Sequence, residues 1–293
     1  MDYAKQYQEY LVRVNAVLET ACNTYLPEES DVCRAARYSL LGGGKRIRAV
    51  LVLAVCDMLN GDAAAADQFA AAVEMLHCYS LIHDDLPAMD DDDYRRGRLS
   101  CHKAFDEATA ILAGDALNVL PFELLSTDTT LPAETRVSLI AELANAAGAE
   151  GMIGGQVIDI ANETRTDVDQ NNLVNMYAHK TGALIRVACT MGCMVAGAND
   201  KMLTAATEYA QRLGLAFQIV DDILDVTGTP ELLGKPIGSD AAHHKTTFVT
   251  LLGLEGAKAE ASRLTEEALR LLEDIPEHQF LTDLTEALLN RNY

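Results

Sequence analysis

Residues 80–98 read SLIHDDLPAMDDDDYRRGR, and this stretch organises our interpretation of the whole chain. Six aspartates fall within ten residues, directly after an apolar segment, and three arginines follow them. Carboxylates beside apolar side chains are costly unless a positive partner compensates for their lost hydration. Mg²⁺ prefers such oxygen ligands, and arginine binds phosphate through a bidentate fork. The stretch therefore favours a magnesium–diphosphate site, with a solvated acidic loop as the alternative.

A second acidic cluster lies far along the chain and argues against that alternative. Residues 217–225 read FQIVDDILD, so aspartates again interrupt an apolar run. Asp221 and Asp225 are four residues apart and share one face of a helix, with Phe217 and Gln218 one turn earlier. Two such clusters in apolar surroundings are hard to explain as features that only aid solubility.

The two clusters resemble the aspartate-rich motifs of the trans-prenyltransferases, which are isoprenyl diphosphate synthases. The first motif has the pattern Asp-Asp-x-x-x-x-Asp and the second Asp-Asp-x-x-Asp, and the resemblance is closest to the bacterial short-chain members that make farnesyl diphosphate. It extends over nearly the whole chain, through residues 43–48, 74–98, 154–159 and 179–182 and through Lys235 and Lys245.

The resemblance implies an all-α fold, in which residues 1–293 form a single large helical bundle of the isoprenoid synthase type with a central cavity. The composition agrees with a helical protein, because the chain is 49% hydrophobic, contains no tryptophan and has only seven prolines. The two motifs must project inward from facing helices for such a site to form.

The resemblance also assigns the metal ions and the allylic substrate. Three Mg²⁺ ions are expected between the motifs, with their ligands drawn from Asp84, Asp85, Asp90, Asp221 and Asp225. An allylic diphosphate is expected to bind these ions and the cations Arg95, Lys180 and Lys235. Thr181 and Gln218 are expected to stabilise the allylic carbocation through their oxygens, and Lys245 to contact substrate.

A second diphosphate site is indicated upstream of the first motif. Gly42, Gly43 and Gly44 precede Lys45 and Arg48, which lie three residues apart at the start of a helix. Basic residues there oppose the helix dipole, and such a local conflict points to function. The resemblance implies that Lys45, Arg48, His77 and Arg96 bind isopentenyl diphosphate. A buried core histidine is the alternative for His77.

The implied reaction is head-to-tail condensation of isopentenyl diphosphate with dimethylallyl or geranyl diphosphate. Tyr79 lies five residues before Asp84, about 7.5 Å along a helix. In the resembling family an aromatic residue here accompanies a fifteen-carbon product, so farnesyl diphosphate is expected; Ser80 offers no obstruction. A twenty-carbon geranylgeranyl product is the alternative. A terpene cyclase would not need Lys45, Arg48 and His77. A non-catalytic metal-binding helical protein would not need Arg95, Arg96 or Lys180.

Net charge and cysteine content limit which binding partners and which cellular compartment are expected. The net charge of −21 makes nucleic acid an improbable partner. No apolar run is expected to reach the length of a membrane span, and the N-terminus lacks a signal-peptide layout. Seven cysteines without a Cys-x-x-Cys pair favour reduced thiols in the cytoplasm. The resemblance suggests a homodimer.

Helical periodicity predicts the course of the chain between the motifs. Helices are expected over 63–83, 101–126, 134–161, 183–198 and 201–225, with a glycine-rich loop over 226–240 and amphipathic helix from there to the C-terminus. Pro87 must interrupt the helix of the first motif so that Asp90 can approach Asp84.

Overall fold

The computed structural model describes residues 2–228, 245–273 and 275–289. In these ranges the chain forms helices joined by short loops, with one small hairpin. The helices are α1 (Tyr3–Tyr25), α2 (Asp31–Leu40), α3 (Ile47–Met58), α4 (Ala63–Asp84), α5 (Cys101–Ala104), α6 (Glu107–Thr127), α7 (Ala133–Ala147), α8 (Met152–Glu163), α9 (Gln170–Lys180), α10 (Gly182–Val195), α11 (Asp200–Thr227), α12 (Phe248–Leu272) and α13 (Gln279–Leu289). The hairpin strands are β1 (Tyr94–Arg95) and β2 (Arg98–Leu99).

The centre of the bundle consists of α3, α4 and α10, which are apolar on nearly all sides. Helices with this pattern are enclosed by other helices. Thus α3 packs against α4 and α10, whereas α4 also packs against α6. On the other side α11 packs against α10 and α12. The described residues confirm the predicted all-α fold, and both acidic clusters lie at helix ends or within the long helix α11.

Several expected helices are divided where the sequence carries a local stop signal. The segment 101–126 separates into α5 and α6, because Asp106 caps α6 by accepting from the Thr109 N–H at 2.9 Å. The segment 134–161 separates into α7 and α8 at Gly148, whose backbone is extended. Helices α12 and α13 are likewise distinct rather than one C-terminal helix.

The hairpin between the first motif and α5 was not predicted. Tyr94 pairs with Leu99, and Arg95 pairs with Arg98. The two turn residues Arg96 and Gly97 have φ values of 55° and 74°, as a type I′ turn requires. This turn fixes the directions in which the consecutive arginines Arg95 and Arg96 leave the backbone.

One expectation about apolar segments is wrong. Within the described residues α6 is long and apolar enough to cross a membrane by length and composition, with 44% of its apolar window buried. It packs against α4, α2 and α7, as the core helix of a bundle does. The sequence is interrupted by Asp115 and Glu123, but these charges are too few to lower its mean hydropathy below that of a span.

The close approach of α8 to α9 depends on Gly155. A Cβ atom at this position would lie 2.1 Å from the backbone nitrogen of Lys180. We therefore expect Gly155→Ala to force the two helices apart and to lower the free energy of unfolding by about 1–3 kcal/mol. Urea unfolding measures this loss. Gly214→Ala is the matched control, since its Cβ would meet no atom closer than the Gly182 Cα at 3.2 Å. Equal losses in both variants would contradict the prediction.

Candidate active site

Backbone turns after α4 return Asp90 to Asp84. The helix ends at Asp84, and the exposed residue Pro87 follows within the first turn. The Asp90 N–H then donates to the Asp84 carbonyl at 2.9 Å, and the Asp91 N–H donates to the Leu86 carbonyl at 3.2 Å. The predicted interruption of the helix is confirmed, and the first and last aspartates of the motif are brought to one end of α4.

The middle aspartate of the first motif is bound by the hairpin. Asp85 is 2% exposed and accepts hydrogen bonds from Arg95, through Nε at 2.8 Å and also through Nη2. Arg95 Nη2 also donates to Asp92 at 3.1 Å. Asp85 therefore holds Arg95 beside the motif, and a metal ion at Asp85 would share that carboxylate with the guanidinium.

Burial and nearby cations separate the pKa values of the three motif carboxyls. Burial raises the pKa of Asp84 to about 6, although Lys180 opposes the shift. Burial likewise raises the pKa of Asp85 to about 6 against the hydrogen bond from Arg95. For Asp90 burial acts in the same direction, but Lys245 and Lys180 together hold the pKa below its usual value.

Two lysines lie on this side of the site, together with two further carboxylates that α8 contributes. Lys180 Nζ lies 2.5 Å from Asp159. Lys245 Nζ lies 3.4 Å from Asp90, 3.7 Å from Asp159 and 4.0 Å from Glu163. Asp159 lies within the range 154–159 that carries the resemblance, whereas no sequence motif included Glu163.

The second motif divides its aspartates between the site and the helix packing. Gln218 and Asp221 are half-buried, and Asp225 is buried on the same helix. The Tyr177 hydroxyl donates to Asp222 at 2.9 Å, and the Phe248 N–H donates to the same carboxylate at 2.9 Å. Asp222 thus joins α9 and α12 to α11, which suits its exclusion from the predicted metal ligands.

The loop before α3 brings its basic residues to the basic end of the hairpin. Arg96 donates to the Gly43 carbonyl, and a Cβ on Gly44 would lie 2.6 Å from the Arg96 guanidinium carbon. The Tyr7 hydroxyl donates to the Lys45 carbonyl at 2.5 Å. Gly44 has a φ of 115°, so glycine suits this position for two independent reasons.

His77 and Arg48 lie in the same cationic neighbourhood. Burial lowers the pKa of His77 well below its usual value, and Arg48 and Arg96 act in the same direction. Its imidazole is therefore neutral at pH 7 and offers one N–H donor. Burial also lowers the pKa of Arg48 to about 10, so its guanidinium remains charged. Asp221 is among the charges that act on Arg48, which relates this region to the second motif.

Tyr79 lies deep along α4 beneath the first motif. It is 5% exposed, and its ring packs edge-on against His83 with centroids 5.6 Å apart. His83 reaches α6, where Nε2 lies 3.0 Å from the Ile111 carbonyl. The neighbouring Ser80 hydroxyl donates to the His77 carbonyl at 3.0 Å.

The remaining predicted residues differ in their placement. Thr181 is buried between α9 and α10. Lys235 lies outside the described residues. Among the described residues one group of metal-ligand types, Asp91, Asp93 and His102, brings its ligand atoms within 4.8 Å of one another. None of the three is a predicted ligand, and Lys103 Nζ already lies 2.8 Å from Asp93.

The donor set of the predicted metal ligands is composed only of carboxylate oxygens, which fits Mg²⁺. The half-buried Asp84 and the buried Asp85 bear the desolvation that a cation relieves, and Lys245 Nζ lies 3.4 Å from Asp90. The arrangement can hold an anionic ligand through metal ions and flanking cations at the same time.

The raised pKa values of Asp84 and Asp85 make the effect of magnesium depend on pH. Because the folded chain binds these protons more tightly than the unfolded chain, ionisation costs stability as the pH rises from about 4 to about 6, and the full cost remains above that range. We expect Mg²⁺ to raise Tm more at about pH 7.5 than at about pH 5. Thermal unfolding with and without MgCl₂ measures the difference, which Asp84→Asn should reduce; equal shifts at both pH values would contradict it.

The chain is similar to known enzymes over nearly its whole length. The polyprenyl synthetase family model matches residues 29–281. A farnesyl diphosphate synthase from Micrococcus luteus is 46% identical over 95% of this chain and 96% of its own length. A geranylgeranyl diphosphate synthase from Cyanophora paradoxa is 43% identical over 88% of this chain and 87% of its own length.

A solved structure extends this similarity to three dimensions. A geranyltransferase from Helicobacter pylori, complexed with magnesium and isoprenyl diphosphate, is 37% identical to this chain with a TM-score of 0.85. The match covers 99% of this chain and 97% of the Helicobacter chain. The chain therefore belongs to the polyprenyl synthetase family, whose magnesium-dependent members act on isoprenyl diphosphates, and it is a trans-prenyltransferase.

Proposed function

We propose that the chain condenses isopentenyl diphosphate with dimethylallyl or geranyl diphosphate, head to tail, and releases farnesyl diphosphate and inorganic diphosphate. The observation that carries the product length is Tyr79, a buried aromatic ring below the first motif. A growing chain that extends from Asp84 down along α4 would meet this ring. The relatives that make farnesyl diphosphate support the same length.

The first step is ionisation of the allylic diphosphate. Asp84, Asp85, Asp90, Asp221 and Asp225 would hold Mg²⁺, for which we propose three ions. Bound Mg²⁺ supplies Lewis-acid stabilisation of the charge that develops on the leaving diphosphate. Arg95, Lys180 and Lys235 bind the same diphosphate and orient it. Lys245 assists from the segment that precedes α12, since Lys180 and Lys245 already lie among the carboxylates of this site.

The second step joins the two substrates. Lys45, Arg48, His77 and Arg96 bind isopentenyl diphosphate so that its double bond points toward the allylic carbocation. Thr181 and Gln218 stabilise the cation through their oxygens, and apolar walls exclude water that would quench it. The new carbon–carbon bond forms with the electron pair of the double bond, and loss of one proton to the released diphosphate restores a double bond.

The active form is proposed to be a cytoplasmic homodimer. Support comes from apolar side chains that α6 and α8 leave exposed, which a second copy of the chain would cover. Leu112, Val119 and Val157 are 52%, 64% and 62% exposed. The seven cysteines are all free thiols, as a reducing compartment favours. Light scattering coupled to gel filtration measures the oligomeric state.

The proposed reaction is tested by product analysis. The purified protein is incubated with isopentenyl diphosphate, dimethylallyl diphosphate and Mg²⁺, and the dephosphorylated products are separated by chromatography. A fifteen-carbon product is expected, and its formation should stop when EDTA removes Mg²⁺. A twenty-carbon product would retain the reaction but overturn the proposed product length. No condensation would overturn the proposed function.

A further inference from the structure

Helix α3 begins without the groups that normally stabilise a helix N-terminus. Its N-cap residue is Arg46, which has a left-handed φ of 52° and gives no side-chain cap. The first turn contains no acidic residue; Lys45 precedes it and Arg48 lies within it, so both add positive charge there. Each of these features is unfavourable to the positive end of a helix dipole.

The missing carboxylate comes from the neighbouring helix. Glu74 on α4 is 1% exposed, and its Oε1 accepts the N–H of Ala49, the third residue of α3, at 3.2 Å. Its Oε2 lies 3.6 Å from Arg46 Nη1. Glu74 therefore acts as the cap of α3 from outside the helix and is the negative partner of Arg46.

Arg46 is buried and bonded to the neighbouring helices. Its side chain is 1% exposed, Nη2 donates to the Leu40 carbonyl at 2.6 Å, and Nε donates to Asn15 at 3.3 Å. Arg46 thus ties α1 and the end of α2 to the start of α3. Of the three basic residues in the segment, only Arg46 is buried. Lys45 before it is exposed, and Arg48 after it is half-buried.

Glu74 also acts on the cations that remain available to substrate. Burial lowers the pKa of Arg48, and Glu74 is the largest charge that opposes the shift. The Arg48 Nε is buried and has no hydrogen-bond partner among the described residues. His77 lies one turn after Glu74 on α4.

We propose that Glu74 is a positioning residue for the isopentenyl diphosphate site: by capping α3 and pairing with Arg46, its buried carboxylate holds Lys45 and Arg48 in place. This inference rests on the proposed function, since it takes the diphosphate of isopentenyl diphosphate as the ligand of Lys45 and Arg48. It assigns no contact between Glu74 and substrate.

The test separates the charge of Glu74 from its shape. Glu74→Gln keeps an oxygen that can accept the Ala49 N–H, but it removes the charge that pairs with Arg46 and faces the dipole of α3. We expect KM for isopentenyl diphosphate to rise about tenfold, with KM for geranyl diphosphate and kcat changed less than about twofold, as a loss confined to substrate binding requires. Calorimetric titration with isopentenyl diphosphate alone should show the same loss of affinity.

A second variant separates positioning from folding. In the double variant Arg46→Gln with Glu74→Gln no buried cation is left unpaired, so we expect Tm to recover toward the wild-type value while KM for isopentenyl diphosphate stays raised. Recovery of both Tm and KM would reduce Glu74 to a structural residue and overturn the proposal. Equal increases in KM for the two substrates would also overturn it. Failure of the proposed function is recognised separately, because the wild-type chain would then form no condensation product.

Discussion

Asp84→Asn is expected to lower kcat by at least about a thousandfold, equivalent to about 4 kcal/mol of transition-state stabilisation. Asp84 is the first carboxylate of the motif, and its backbone carbonyl also accepts the N–H that returns Asp90 to the site. The substitution leaves this backbone bond intact and removes one ionised oxygen ligand for Mg²⁺. Steady-state condensation of isopentenyl and geranyl diphosphates under saturating Mg²⁺ measures the loss.

The same variant should be at least as stable as the wild-type protein without metal. Burial raises the pKa of Asp84 to about 6, so its ionised form is disfavoured in the folded chain at neutral pH. Asparagine removes that cost, and thermal unfolding should show an equal or higher Tm. Asp222→Asn is the matched control, since Asp222 accepts from Tyr177 and Phe248 and should lose stability when its charge is removed. Activity within about tenfold of wild type would contradict a metal-binding role for Asp84.

The sequence allowed the all-α fold and the two acidic motifs to be predicted, because both depend on local patterns. Helical spacing put Asp221 and Asp225 on one face, and the burial of α4 follows from its apolar composition. Boundaries were less predictable where one residue decides them. Asp106 begins a new helix by accepting hydrogen bonds from the Thr109 N–H and the Thr109 hydroxyl.

The sequence alone could not predict which groups contact each aspartate. Asp84 and Asp85 are adjacent in the chain, yet only Asp85 is bound by Arg95. That difference depends on the hairpin turn at Arg96 and Gly97, whose positive φ values have no strong sequence signal when the first position is arginine. In the second motif, the Asp222 carboxylate is oriented by a hydrogen bond from Tyr177, which lies 45 residues away in the sequence.

The network around Lys180 shows the same limit. The resemblance implies a diphosphate at Lys180, and the anions found there are Asp159 and, through Lys245, Asp90 and Glu163. These contacts depend on the close packing of α8 on α9, which Gly155 permits. Glu74 is a further case, because its position in an apolar helix does not indicate that it caps the N-terminus of a different helix, α3.

Tyr79→Ala is expected to lengthen the product from fifteen to twenty carbons. The phenol ring is buried below the first motif, and its removal leaves a cavity along α4 into which one more isoprene unit can extend. The structural cost is about 3 kcal/mol or more, as for other large aromatic residues replaced by alanine. Chromatography of the products formed from isopentenyl and geranyl diphosphates measures the chain length directly.

The cavity itself provides a second readout of this prediction. A ligand that fills the space left by the ring restores lost packing, so geranylgeranyl diphosphate with Mg²⁺ should raise Tm more in Tyr79→Ala than in the wild-type protein. Ser80→Ala is the control, because the Ser80 hydroxyl bonds back to the His77 carbonyl and its removal opens no comparable space. Ser80→Ala should therefore keep the fifteen-carbon product. If Tyr79→Ala folds and still stops at fifteen carbons, the product length is set by side chains other than Tyr79, and the ring is a packing residue of the α4–α6 contact.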